Sequence, residues 1–221
     1  MPLTRYGFKY AVSAFFEMSR DAAKKTLPAH LEPMEVKHSL GVFALTAFDF
    51  IDSEVGQYEE LVLAVITPPV LGVGGEFPRS AFFPFCVATS TEASRLHAIE
   101  RWHLPHYMSD VRVTFEPSGN KMVVHAHENG RPIIDLEVSS HKWSKVNHLY
   151  QAFTVEPPKR FKADIHMAGD FTEHEEESGS LEIHPHPMCE PLLNADVASF
   201  PFRELWMKDG VQTFQPLQQL F

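Results

Sequence analysis

The sequence predicts a mainly β fold, and three observations carry that prediction. Runs rich in Val, Ile, Phe and Thr recur along the chain, clusters of Gly, Pro, Asn and Asp separate them, and few segments show a helical pattern. The strand runs are Tyr6 to Phe16, Val36 to Phe50, Leu61 to Ile66, Val111 to Phe115, Met122 to His127, Ile133 to Ser140 and Phe161 to Ala168. One helix is expected from Ser19 to Leu27, with Ser19 or Asp21 as N-cap and Pro28 as its stop. A second is expected from Thr91 to His103, capped by Ser90 or Thr91 and ended by Pro105. It places Leu96, Ile99, Trp102 and His103 on one stripe. A short helix between Asp196 and Met207, broken by Pro201, completes the set. No repeat or long linker divides the chain, so one domain is expected over residues 1–221.

The bulk properties exclude several function classes. A hydrophobic fraction of 44% is that of an ordinary globular chain. The net charge of −10, with no basic block, argues against nucleic acid or an anionic membrane as partner, because phosphate binding needs clustered Lys and Arg. No signal-peptide pattern opens the sequence, and no window reaches the roughly 18 apolar residues of a membrane span. Cys86 and Cys189 alone suggest no disulfide framework, so a cytoplasmic protein is expected. The acidic run Glu173 to Gly179 reads as a solvated turn, since clustered like charges stay in water.

The hairpin from Met122 to Ser140 leaves two registers open. With Asn129-Gly130 as a two-residue loop, His125 lies opposite Ile134 and shares the face of Leu136 and Val138. With Glu128-Asn129-Gly130 as a three-residue loop, Met122, Val124 and Ala126 pair with Ile134 and Leu136, and His125 and His127 move to the other face. The second register groups the apolar residues better.

Chemistry concentrates in two segments, Gly56-Gln57-Tyr58-Glu59-Glu60 and Glu100-Arg101-Trp102-His103-Leu104-Pro105-His106. Together with Lys24-Lys25-Thr26-Leu27-Pro28-Ala29-His30-Leu31-Glu32-Pro33, their order and spacing resemble the acetoacetate decarboxylase superfamily across roughly residues 20 to 110. The resemblance implies an antiparallel, barrel-like sheet around a buried cavity with a few helices outside. It also implies that Gly56 to Glu60 opens a strand and sets a carboxylate near the reaction centre. Members commonly assemble, so a homo-oligomer is an expectation of the same kind.

Three departures stand out. His106 occupies the place of the family's Schiff-base lysine after the proline. A second family glutamate falls near Leu45. Ala98-Ile99 stands where the family carries Gly-Arg. Imine chemistry needs a primary amine with a lowered pKa, which acetoacetate decarboxylase exemplifies, and an imidazole cannot form an imine. It can act as general acid or base, since its unperturbed pKa of about 6.5 lies near working pH.

The expected site therefore has His106, Glu60 and Glu100 as catalytic residues and Tyr58, Trp102 and His103 as substrate contacts. Its chemistry would be acid–base work on a carbonyl-bearing metabolite, a keto acid or polyketide-like compound. The competing reading is a non-catalytic barrel that binds a small apolar ligand. A lysine supplied from elsewhere, such as Lys142 or Lys145, would restore the imine route. No cofactor is expected: Gly72-Val73-Gly74-Gly75 leads into Glu76-Phe77-Pro78 rather than a helix, and no Gly-x-Ser-x-Gly elbow occurs. His125-x-His127 and His184-x-His186 have strand-compatible ligand spacing, but sequence shows no convergence of three or four ligands, so no metal is expected.

Overall fold

The computed structural model describes residues 3–71 and 75–220. Residues 72–74 of the Gly72 to Gly75 segment thus lie outside the described residues. The strands, in order, are β1 (Thr4–Ser19), β2 (Leu40–Asp52), β3 (Tyr58–Thr67), β4 (Ala81–Thr89), β5 (Arg112–Ser118), β6 (Lys121–Glu128), β7 (Arg131–Ser139), β8 (Ser144–Glu156), β9 (Lys159–His174), β10 (Ser180–Ile183), β11 (Arg203–Phe214) and β12 (Gln218–Leu220). The helices are α1 (Arg20–Thr26), α2 (Glu92–Trp102) and a 3₁₀ turn (Pro187–Leu192).

Seven strands run in the order β11-β1-β2-β3-β4-β8-β9, and β9 pairs back onto β11 to close a barrel. Closure leaves no barrel edge among these strands. Every barrel pairing is antiparallel except β4 with β8, a short parallel contact between Ala81–Phe82 and Gln151–Ala152. The expectation of an antiparallel barrel holds with that single exception. A second antiparallel sheet, β10-β7-β6-β5, packs on the outside.

Both capping expectations are met. Ser19 Oγ accepts from the Ala22 N–H, and Thr91 Oγ1 accepts from the Ser94 N–H at 3.2 Å. The buried stripe of α2 is different from the one expected, however. Ser94, Arg95, Ala98 and Trp102 face inward, whereas Leu96 is exposed. The helix expected between Asp196 and Met207 is absent. Pro201 precedes a long strand there, and Lys208-Asp209-Gly210 forms a bulge within it. The acidic run is also mixed. Glu175 to Glu177 are exposed, but Glu173 lies within β9 and pairs with both Arg79 and Arg203.

Asn129 and Gly130 have φ of 49° and 80°, as a type I′ two-residue turn requires. A bulge between Ala126 and His127 then shifts the register, so Ala126 faces Ile134, Val124 faces Leu136 and His125 faces Asp135. The apolar grouping thus named the correct pairing, and the three-residue loop was the wrong cause.

The inner face of the second sheet (Met122, Val124, Ala126, Ile134, Leu136, Val138) packs on outward residues of β1 to β3, including Phe16, Phe43, Leu45, Leu61 and Leu63. These three barrel strands are buried on both faces, which is why they read as nearly continuous apolar runs.

At the closure point, β9 and β11 cross through Gly169 and Gly210. A Cβ on Gly210 would lie 2.4 Å from Phe8 Cζ and 2.6 Å from the Ala168 carbonyl oxygen. Gly210→Ala is expected to cost about 1–3 kcal/mol by overpacking. Thermal denaturation would show a midpoint several degrees lower.

Candidate active site

The barrel interior holds a cavity of about 110 Å³. An engineered apolar cavity of about 150 Å³ accepts benzene, so the space suits a molecule of that order. Its wall is mostly apolar, with Phe15, Phe48, Val62, Phe82, Ile165 and Phe171 among the lining residues. The inward set follows from strand alternation: Thr46 and Phe48 on β2, Glu60 and Val62 on β3, and Ala152 and Thr154 on β8.

Among the described residues, Glu60 is the only carboxyl lining this cavity, and no Lys, Arg or His lines it. Burial alone raises the Glu60 pKa from 4.5 to about 8, with no charge or hydrogen bond to offset it. The carboxyl is therefore largely protonated at neutral pH. Other polar groups are sparse. Ser13 Oγ and Thr46 Oγ1 satisfy each other at 2.6 Å. Thr154 Oγ1 and Gln212 Oε1 are buried without partners among the described residues. Such orphaned groups await a ligand or water.

A smaller cavity of about 20 Å³, room for one water, adjoins the first. Glu60, Trp102, Leu104, Gln212 and Phe214 line both. Tyr6, Tyr58 and His97 line the smaller one. Trp102 Nε1–H donates to Tyr6 Oη at 2.8 Å, and Tyr6 Oη lies 2.8 Å from His97 Nε2. Tyr6 Oη thus accepts from Trp102 and shares a hydrogen bond with the His97 ring. Burial lowers the His97 pKa, consistent with a neutral ring.

The acetoacetate decarboxylase family model matches residues 2–198. The chain belongs to the acetoacetate decarboxylase family. Solved members share the fold at low identity. An acetoacetate decarboxylase superposes with a TM-score of 0.72 at 13% identity, covering 100% of this chain and 90% of that one. The Legionella pneumophila acetoacetate decarboxylase gives 0.69 at 15%, covering 100% and 88%. The enduracididine biosynthesis enzyme MppR, in a complex with pyruvate, gives 0.63 at 12%, covering 100% and 91%. No curated protein sequence matches the chain.

Within this family barrel, the residues singled out from sequence separate into two groups. Gly56, at φ 88°, turns the chain into β3, and Tyr58 and Glu60 follow on its inner face. Trp102 lines both cavities. His106, Glu100 and His103 line neither. His106 forms a parallel bridge with Val87, and neither ring nitrogen has a partner. Burial, then the charge of Arg95, lowers its pKa to about 4, which keeps the ring neutral. His106 makes no hydrogen bond to Glu60. Glu100 is exposed on α2. His103 caps α2 in the left-handed region and stacks on Phe161 at 4.8 Å.

Lys142 and Lys145 are exposed, and Lys145 pairs with Asp170, so neither supplies an amine to the cavity. Leu45 points outward into the core under the second sheet, while its neighbour Thr46 faces the cavity. Tyr6, His97 and Gln212 went unnoticed in the sequence. They reach one place from β1, α2 and β11, a convergence that no local spacing records.

Between pH 4.5 and about 8, the unfolded chain releases the Glu60 proton while the folded chain keeps it, so stability falls across that window. Glu60→Gln is expected to gain on the wild type over this range by an amount on the order of a few kcal/mol. The gain levels off above pH 8. Denaturant melts at pH 5, 7 and 9 check this.

Proposed function

We propose that this family member acts on an uncharged, carbonyl-bearing small molecule by acid–base chemistry, with Glu60 as the proton-transferring group and no lysine imine. The observation that carries this reading is the cavity's composition: one carboxyl in an apolar wall with no cation. A keto-acid carboxylate would enter without a counter-charge beside a carboxyl, an unfavourable exchange of hydration for low dielectric. Pyruvate sits in MppR, but the lining here offers it no cation. The polyketide-like half of the expected substrate class is the half this cavity suits.

Protonated Glu60 can donate to a carbonyl oxygen, and its ionised form can remove an adjacent proton. A pKa near 8 makes both forms accessible near neutral pH. The orphaned Gln212 and Thr154 groups can orient the ligand. A water in the smaller cavity would join Glu60 to Tyr6 and His97, giving the proton a route towards the half-buried imidazole. His106 keeps no part in this scheme, because it lines neither cavity. The family fold supports a small-molecule site, and the apolar wall equally favours the second reading, a barrel that binds an apolar ligand without turning it over.

Deuterium exchange at the α-carbons of cyclohexanone and pyruvate, followed by NMR in D₂O, tests the proposal. The wild type is expected to accelerate cyclohexanone exchange, rising to a plateau above about pH 8 as Glu60 ionises. Glu60→Gln should lower the rate about 10²-fold or more. His106→Gln should leave it unchanged. Exchange of pyruvate alone would overturn the charge argument, and cyclohexanone binding without exchange would establish the second reading. Borohydride treatment with acetoacetate or pyruvate should leave the intact mass unchanged. A lysine adduct would reinstate the imine.

A further inference from the structure

The outer face of the second sheet carries a cluster that the barrel chemistry does not use. The register sets His125 of β6 opposite Asp135 of β7, and Asp135 opposite Glu182 of β10. These three side chains form one row across adjacent strands. His184, two residues beyond Glu182, falls on the same face. The Asp135 carboxylate lies between two imidazoles: Oδ1 is 2.6 Å from His125 Nδ1, and Oδ2 is 2.7 Å from His184 Nε2. His184 Nδ1 is 3.9 Å from Glu182 Oε1. One donor atom from each of Asp135, Glu182 and His184 lies within 4.8 Å of the others.

We propose that Asp135, Glu182 and His184 bind a divalent transition ion of the zinc class, with His125 holding Asp135 in place. The donor set is one imidazole and two carboxylates, a mixture that suits zinc better than magnesium or calcium. Metal–ligand bonds of about 2.0–2.2 Å put tetrahedral donors roughly 3.3 Å apart, so the 2.7 Å contact between Asp135 and His184 must open slightly while Glu182 moves in. Glu182 is exposed and free to make that movement. Asp135 is held within β7, and the backbone N–H of His184 donates to the Ile133 carbonyl oxygen at 3.0 Å, so both need only small rotations. The hydrogen bond from His125 to the second Asp135 oxygen is the kind of outer contact that fixes a ligand's orientation.

Sequence spacing had offered His125-x-His127 and His184-x-His186 as ligand pairs. The structure pairs the first histidine of each with Asp135 instead. His186 is buried, and its Nε2 lies 3.1 Å from Glu128 Oε2. Because this cluster is on the outer sheet, the proposal is independent of the barrel reading.

Isothermal titration of the full chain with Zn²⁺ tests it, with Co²⁺ absorption as a second readout of coordination. The expected result is one saturable equivalent. Asp135→Asn and His184→Ala should each weaken binding at least tenfold and erase the Co²⁺ bands, with circular dichroism unchanged. His38→Ala, which removes an exposed histidine elsewhere, should leave both readouts intact. Absence of saturable binding would overturn the proposal, as would binding insensitive to Asp135→Asn and His184→Ala. Loss of binding in His38→Ala would assign the ion to another site and refute it equally.

Discussion

Closure of the barrel through β11 is the constraint on which the remaining architecture depends. This strand must pair with β1 on one side and β9 on the other, and it does so only by inserting a bulge. Asp209-Gly210 on β11 occupies the span of Gly169 on β9, and an irregularity between Phe8 and Tyr10 on β1 lies directly beside it. Each bulge reverses the alternation of its strand. On β1 the inward set passes from Tyr6 and Phe8 to Ala11, Ser13 and Phe15. On β11 it passes from Leu205 and Met207 to Gln212 and Phe214. A strand that continued without the bulge would turn Gln212 away from the cavity. The same local defect that lets the sheet close therefore delivers a polar group beside Glu60.

The electrostatics of the cavity follow from what the closed wall excludes. Glu60 has lost most of its water, and no cation or donor replaces it. Desolvation then acts alone and shifts the carboxyl towards its neutral form. An amine in the same surroundings would move the opposite way, its pKa lowered towards neutrality, which is the requirement of imine chemistry. The fold thus supplies a low-dielectric chamber that perturbs either group in a usable direction. In this chain the strands point a carboxyl inward, that of Glu60.

The fold was largely legible because periodicity and caps are local. Ser19 and Thr91 start their helices, and the seven expected strands all occur with shifted ends. Five further strands were hidden by particular residues. β4 contains Pro84, β10 is only four residues long and β12 only three, β8 begins with a polar stretch, and β11 carries Lys208-Asp209-Gly210. At the site, Glu60 was legible from Gly56-x-Tyr58-x-Glu60 because Gly56 turns the chain and alternation does the rest. His106 was read from its place after Pro105. That place fixes its backbone beside Val87 but does not set its ring against Glu60. Tyr6, His97 and Gln212 required three-dimensional closure to be seen at all.

The second sheet explains how the site is held in place. Its apolar face immobilises the outward residues of β1 to β3, and alternation transmits that to their inward neighbours: fixing Leu45, Leu61 and Leu63 fixes Thr46, Glu60 and Val62. The sheet is itself anchored by Glu204, a fully buried residue of β11. Its carboxylate accepts the backbone N–H groups of Ser139 at 2.7 Å, Ser178 at 2.9 Å and Gly179 at 2.7 Å. Ser139 ends β7, and Gly179 immediately precedes β10. A Cβ on Gly179 would lie 2.3 Å from the Glu137 carbonyl oxygen and 3.0 Å from the Glu204 carboxylate, so a glycine is needed for the approach. The two buried carboxyls of the barrel therefore divide the work by their partners. Glu204 has its donors supplied by the backbone and joins sheet to barrel, whereas Glu60 is left without any and faces the space where a ligand would provide them.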